Sequence, residues 1–292
     1  MTTGLDARLY DLGYRSYDGP RDRPARAILT LAEFTARRVL GLGRGARHKV
    51  LPALTLVIAY LPALASVLYA VLAKDVVGGD LITYGDYMFI IGGALALFAA
   101  LVAPEALCPD KRTGMLGLYL AGPLDRNRYL AAKGAGVLAV MLLITLGPLL
   151  FMLLAFVFAG LGPSITETPG LLGRILVAGT MTALLYVALS MAVSSFTTRR
   201  AAAAVGVVLL LFVPASVVTA AIESGDAPKE LALLDSPSVA FELAYRIFGE
   251  SSDGGNPVSD LSTWLLTGGI AGAILAGGLI CWLRYRRLEA FR

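Results

Sequence analysis

Six stretches of the chain contain no Asp, Glu, Lys or Arg: 51–73, 87–104, 134–159, 175–196, 201–222 and 263–283. Each is close to the roughly 20 residues that a helix needs to cross a hydrocarbon core about 30 Å thick. Lipid offers the backbone no hydrogen-bond partners, so a spanning segment must satisfy itself as a helix or join a closed barrel. The alternation of barrel strands is absent from these stretches. The chain therefore reads as an all-α integral membrane protein with six transmembrane helices. Composition agrees. Charged residues make up 16% of the 292 positions, against about 25% in soluble domains. The mean hydropathy is +0.72.

The segments between the spans fix an orientation. With the N-terminus inside, 21 of the 25 Lys and Arg fall on the inner side and four on the outer. The inner segments carry a net charge of +12 and the outer segments −8. This is the positive-inside pattern, and it puts both termini in the cytoplasm. The basic balance, pI about 9.1, follows from topology, and no nucleic-acid partner is expected. The polar first 50 residues hold no apolar core of a cleavable leader, so none is expected.

Residues 1–25 read as an irregular cytoplasmic arm, with Tyr14, Tyr17 and Arg21 as candidate contacts. Residues 26–45 read as an amphipathic helix in the membrane interface. Ile28, Leu31, Ala32, Val39 and Leu42 share one face; Arg26, Thr30, Glu33, Arg37 and Arg44 share the other. The transmembrane domain spans 51–283, and 284–292 forms a cytoplasmic tail. The turn Thr197–Arg200 is too short for anything but antiparallel neighbours. The acidic segment 223–262 reads as an external helical segment, either a small domain or a partly re-entrant one. An amphipathic helix is expected from Val239 to Phe248. Glycine and alanine at four-residue spacing in the sixth span (Gly268, Gly272, Ala276; Gly269, Ala273, Gly277) favour close helix approach.

Catalytic chemistry is hard to place. The sequence has no Gly-x-x-x-x-Gly-Lys-Ser/Thr stretch and one histidine, His48. The six stretches offer no carboxylate or lysine of the kind that ion-coupled transporters use at membrane depth. Cys108 and Cys281 lack a histidine cluster and read as small packing residues. Neither a metal nor a cofactor is expected in this chain.

The most informative stretch is 103–133. It offers a charged run (Asp110, Lys111, Arg112) and a short apolar helix after Thr113, with Met115, Leu116, Tyr119 and Leu120 on its face. A Gly122-Pro123 break follows, then a second charged patch (Asp125, Arg126, Arg128) and Lys133. Thr113 suits an N-cap. Apolar residues exposed at a membrane surface need a partner to cover them.

This constellation resembles the ABC-2 type permeases, the membrane subunits of type V ABC exporters. The resemblance rests on the acidic-basic run, the Leu118-Tyr119-Leu120 helix, the Pro123-Leu124-Asp125-Arg126 turn, Lys133, and the N-terminal Tyr10–Arg21 stretch. It implies that 110–122 is a coupling helix docking on a separate cytosolic ATPase, with Arg199 and Arg200 as a second contact. Two ATPase subunits, carrying ATP and Mg, and a second permease subunit are implied, because six spans make half a pore. Glu105 is expected to pair with Arg37, Arg38 or Lys133. The apolar spans suggest a hydrophobic or amphipathic substrate. The rival readings are a non-transporting scaffold or regulator, and a membrane-embedded enzyme.

Overall fold

A computed structural model describes residues 24–72, 82–120, 124–164, 166–224, 228–252 and 257–287. The candidate contacts Tyr14, Tyr17 and Arg21 lie outside the described residues. The described chain is helical, with no strand among the described residues. Pro24–Val39 (α1) precedes Arg47–Leu72 (α2). Tyr84–Ile90 (α3) and Gly92–Arg112 (α4) follow, then the six-residue Met115–Leu120 (α5). Arg126–Phe158 (α6), Thr168–Phe196 (α7) and Arg200–Glu223 (α8) come next. Two 3-10 turns, Lys229–Leu234 and Pro257–Asp260, flank Ser236–Phe248 (α9), and Thr263–Arg286 (α10) closes the bundle. Six of these helices, α2, α4, α6, α7, α8 and α10, are long and apolar enough to cross a membrane.

Helix α4 is the hub. It packs against α2, α6, α7 and α8, and it is buried along most of its length. Its neighbours bury one face and show the other. On α2, Leu54, Val57, Leu61, Leu64 and Leu68 are exposed; on α8, Leu209, Phe212, Val213 and Val217 are exposed. Apolar surface of that extent would drive association in water, and it suits lipid or a partner helix. Helix α10 lies along α7 at close range: a Cβ on Gly277 would meet the Ala188 carbonyl at 2.8 Å.

Two elements depart from the sequence reading. The second span, expected over 87–104, is two helices that meet at Ile91, and the second runs on to Arg112. Residues 105–112, expected in a loop, therefore form the last two turns of α4, with Pro104 and Pro109 inside the helix. Thr113, expected as an N-cap, instead ends α4. Its hydroxyl donates to the Pro109 carbonyl at 2.8 Å, and Gly114 then takes φ +70°. Likewise α1 stops at Val39, so Leu42 is exposed beyond it and Arg44 turns inward instead of facing outward with Arg26. The rest of the amphipathic pattern of α1 holds. Leu31, Thr35 and Val39 are buried against α6 and α4, while Leu29 and Phe34 project outward.

At the opposite end, residues 228–252 and 257–260 form a cap. Val239 and Leu243 of α9 are buried, and α9 packs on α3, α7 and α10. Glu250 accepts hydrogen bonds from the Gly85 and Tyr84 amides at 2.7 and 3.3 Å, placing an anion at the N-terminus of α3. Tyr245 donates to Asp86 at 2.8 Å, and Arg174 donates to the Phe248 carbonyl at 2.9 Å. Gly85 is what admits the Tyr245 ring, since a Cβ there would lie 2.3 Å from it. Arg246 ties the cap together, 2.9 Å from Glu242 and donating to the Ser259 carbonyl at 2.9 Å.

Candidate coupling face

The charged residues of 105–133 gather where α1, α4, α6 and α8 end together. Glu105, on α4, faces three arginines from three parts of the chain. Arg44 lies 2.6 Å away and Arg38 3.6 Å, and Arg200 forms the shortest pair. One turn on, Asp110 is buried. Lys133 of α6 lies 2.7 Å from its Oδ2, Arg38 donates to its Oδ1 at 3.1 Å, and Tyr129 donates to its Oδ2 at 3.0 Å. Arg38 thus bridges the two carboxylates. A lone charge at such depth would cost several kcal/mol. Here each carboxylate meets two or three donors, which offsets desolvation and pins the helix ends to one another.

Lys111 sits on another side of α4. Its ammonium donates to the Ser194 and Ser195 carbonyls at 2.7 and 3.0 Å, in the last turn of α7. Those carbonyls lack intrahelical partners, and a cation there also complements the helix dipole. Arg126 donates to the Arg286 carbonyl at 2.7 Å, joining the start of α6 to the end of α10. Asp125 caps α6 by accepting from the Arg128 amide at 2.8 Å.

Helix α5 rests on this frame. Leu116 is buried, and the Tyr119 ring lies 5.6 Å from Tyr129 and 5.7 Å above the Lys133 ammonium. Burial, with the Asp110 charge behind it, pushes the Tyr119 phenol above its ordinary 10.0. Met115 and Leu118 point outward, Leu118 at 67% exposure. Arg112, at the end of α4, and Arg199, in the turn before α8, are exposed. Leu120 ends α5.

The residues singled out in 105–133 therefore divide. Asp110, Lys111 and Lys133 are bound within the bundle, and Tyr119 is packed on it. Arg112, Asp125 and Arg199 remain at the surface. Arg200, expected as part of a second ATPase contact, turns its guanidinium onto Glu105 and stays partly exposed. Of the three partners expected for Glu105, Arg38 is near it, Arg37 pairs with Glu33 at 2.6 Å, and Lys133 goes to Asp110. Arg44, expected on the outer face of the amphipathic helix, and Tyr129 were not expected to meet Glu105 and Asp110. Their one clue was position, since both flank the ends of apolar stretches. No group of three His, Cys, Asp or Glu able to hold a metal occurs among the described residues.

The bundle is thus a six-span membrane domain with a charge-braced end and a small two-faced helix on it. The ABC-2 family transporter proteins match this chain over residues 23–289, nearly its whole length, and the chain belongs to that family. No individual curated protein matches it. It is therefore a transmembrane transporter subunit, of a family whose members translocate and are not themselves ATPases.

Proposed function

We propose that this protein is half of the translocation pathway of an ATP-driven type V exporter in a bacterial inner membrane. Its basic end faces the cytoplasm. Two cytosolic ATPase subunits, binding ATP and Mg, dock there, and a second permease subunit completes the pathway. The substrate is hydrophobic or amphipathic, as expected of a pathway walled by apolar helices. The observation that carries this reading is α5. It turns Leu116 and Tyr119 onto the braced frame and leaves Met115 and Leu118 to a partner. The brace supports the mechanism: force applied to α5 passes to α4, α6, α1 and α8 as one body, because Asp110 and Glu105 tie them.

The test is purification of the tagged chain in mild detergent, with copurifying proteins and ATP hydrolysis measured. A stoichiometric ATPase is expected. The triple variant Arg112→Glu, Met115→Glu, Leu118→Glu changes exposed side chains, so it should fold normally. It should lose most of the copurifying ATPase, and with it transport. Full retention of the ATPase by this variant would sink the assignment of α5.

A further inference from the structure

A groove runs between α6, α7 and α10 at the basic end, and its apolar part belongs to neither the coupling face nor the cap. Its inner part has a volume of about 340 Å³ and apolar walls: Leu130, Leu184, Val187, Met191 and Ile274, with Gly278 among them. A second cavity, about 490 Å³, shares Asn127, Leu130 and Trp282 with it and is also lined by Asp125, Arg126 and Arg286. The indole N–H of Trp282 donates to Asn127 Oδ1 at 2.9 Å. That is the posture of a tryptophan at a membrane–water boundary, ring in the apolar layer and N–H toward the polar one.

The mouth is cationic. Asp125 turns to the first turn of its own helix, accepting from the Arg128 amide and lying 3.8 Å from Arg128 Nε. Arg126 is held by a backbone carbonyl, and the Arg286 guanidinium lies 5.2 Å above the Trp282 ring. Neither arginine has a carboxylate partner among the described residues. An apolar slot at membrane depth, ending in two arginines at the interface, is complementary to one kind of molecule. It would have a hydrocarbon chain and an anionic head.

We propose that this groove is a binding site for an anionic glycerophospholipid of the leaflet on the basic side. One acyl chain lies between α6, α7 and α10, and the phosphate sits against Arg126 and Arg286. Gly278 leaves the slot open: a Cβ there meets nothing within 4 Å. Bound lipid would fill a gap between α10 and its neighbours and stiffen the join at which Arg126 holds the end of α10.

The full chain, purified in mild detergent, is mixed with palmitoyl-oleoyl phosphatidylglycerol or with phosphatidylcholine of the same chains. Retained lipid is counted by native mass spectrometry. One phosphatidylglycerol is expected per chain, preferred over phosphatidylcholine by roughly 30-fold, from two interfacial cations. Gly278→Leu should abolish retention. Gly268→Leu, equally open on the same helix but outside the groove, should leave it intact. The double variant Arg126→Gln, Arg286→Gln should bring phosphatidylglycerol down to the level of phosphatidylcholine, which tests the head site even where Gly278→Leu fails to fold. Equal retention of the two lipids by the unaltered chain, or equal retention by Gly278→Leu and Gly268→Leu, would overturn the proposal. So would a Gly278→Leu chain that keeps its lipid but no longer dimerises, since a second copy would then be the occupant. The assay needs no ATPase, so its outcome is independent of the exporter reading.

Discussion

Asp110 and Lys133 are both almost fully buried, 1% and 0% exposed, and face each other at 2.7 Å. Removing Lys133 leaves Asp110 with Arg38 and Tyr129, whereas removing Asp110 strands Lys133. Asp110→Asn should therefore cost about 3–5 kcal/mol, and adding Lys133→Met should recover much of that, because the unpaired buried charge is then gone. Unfolding in detergent micelles, run as a double-mutant cycle, measures both; additive losses would mean that the pair is not coupled. This pair also marks what the residue scale hides from sequence. Charges at matching ends of spans can be seen to share a membrane depth. Which one meets which depends on the rotation of each helix, and that is set by apolar packing far from the charges. Arg37 and Arg38 are adjacent in sequence, yet one points to Glu33 on its own helix and the other into the brace.

At the scale of elements, the six spans were legible because each is a run of apolar residues long enough to satisfy its backbone alone. The interruption at Ile91 was not. Hydropathy is continuous across it, and the reason for it lies more than a hundred residues away: Phe241 of α9 packs on Phe89 and fills the space beside Gly92. The extension of α4 through Pro109 was hidden for the opposite reason. Proline and charge read locally as a helix end, but the brace holds the last turns in place. The cap has its own titration. Burial raises the Asp86 carboxyl, but hydrogen bonds from Tyr245 and Thr83 outweigh it and hold the group below its ordinary 3.8. A carboxyl depressed on folding adds stability above its ordinary value and loses that contribution as pH falls through the folded one. Protection factors of the α9 amides, which discount the slowing of intrinsic exchange in acid, should therefore fall as pH drops below about 4, and Tyr245→Phe should flatten that dependence. Unchanged acid sensitivity in Tyr245→Phe would place its origin elsewhere.

For the whole molecule, the contrast between a basic end and an acidic one is the main global statement that the sequence makes. Cys108 and Cys281 are buried, so single exposed cysteines can report it without background. Thr166→Cys should react with a membrane-impermeant maleimide on intact cells, and Arg199→Cys only after permeabilisation. The reverse pattern would invert the orientation and remove the basic end from any cytosolic partner. What composition could not convey is that the six spans are unequal. Helix α4 is enclosed, whereas α2, α8 and α10 are open on one side.

The brace also sets an order of birth. Arg38 and Arg44 leave the ribosome first, Glu105 follows at the end of the second span, and Arg200 comes only once four spans have been made. Until then Glu105 has two of its three cations, and Asp110 must await Lys133 at the head of the third span. A nascent chain thus carries α1 as a loosely tethered piece through much of its insertion. Helix α1 is made before the helices that secure it, so chains released before residue 158 should be the ones that membrane quality control finds and removes.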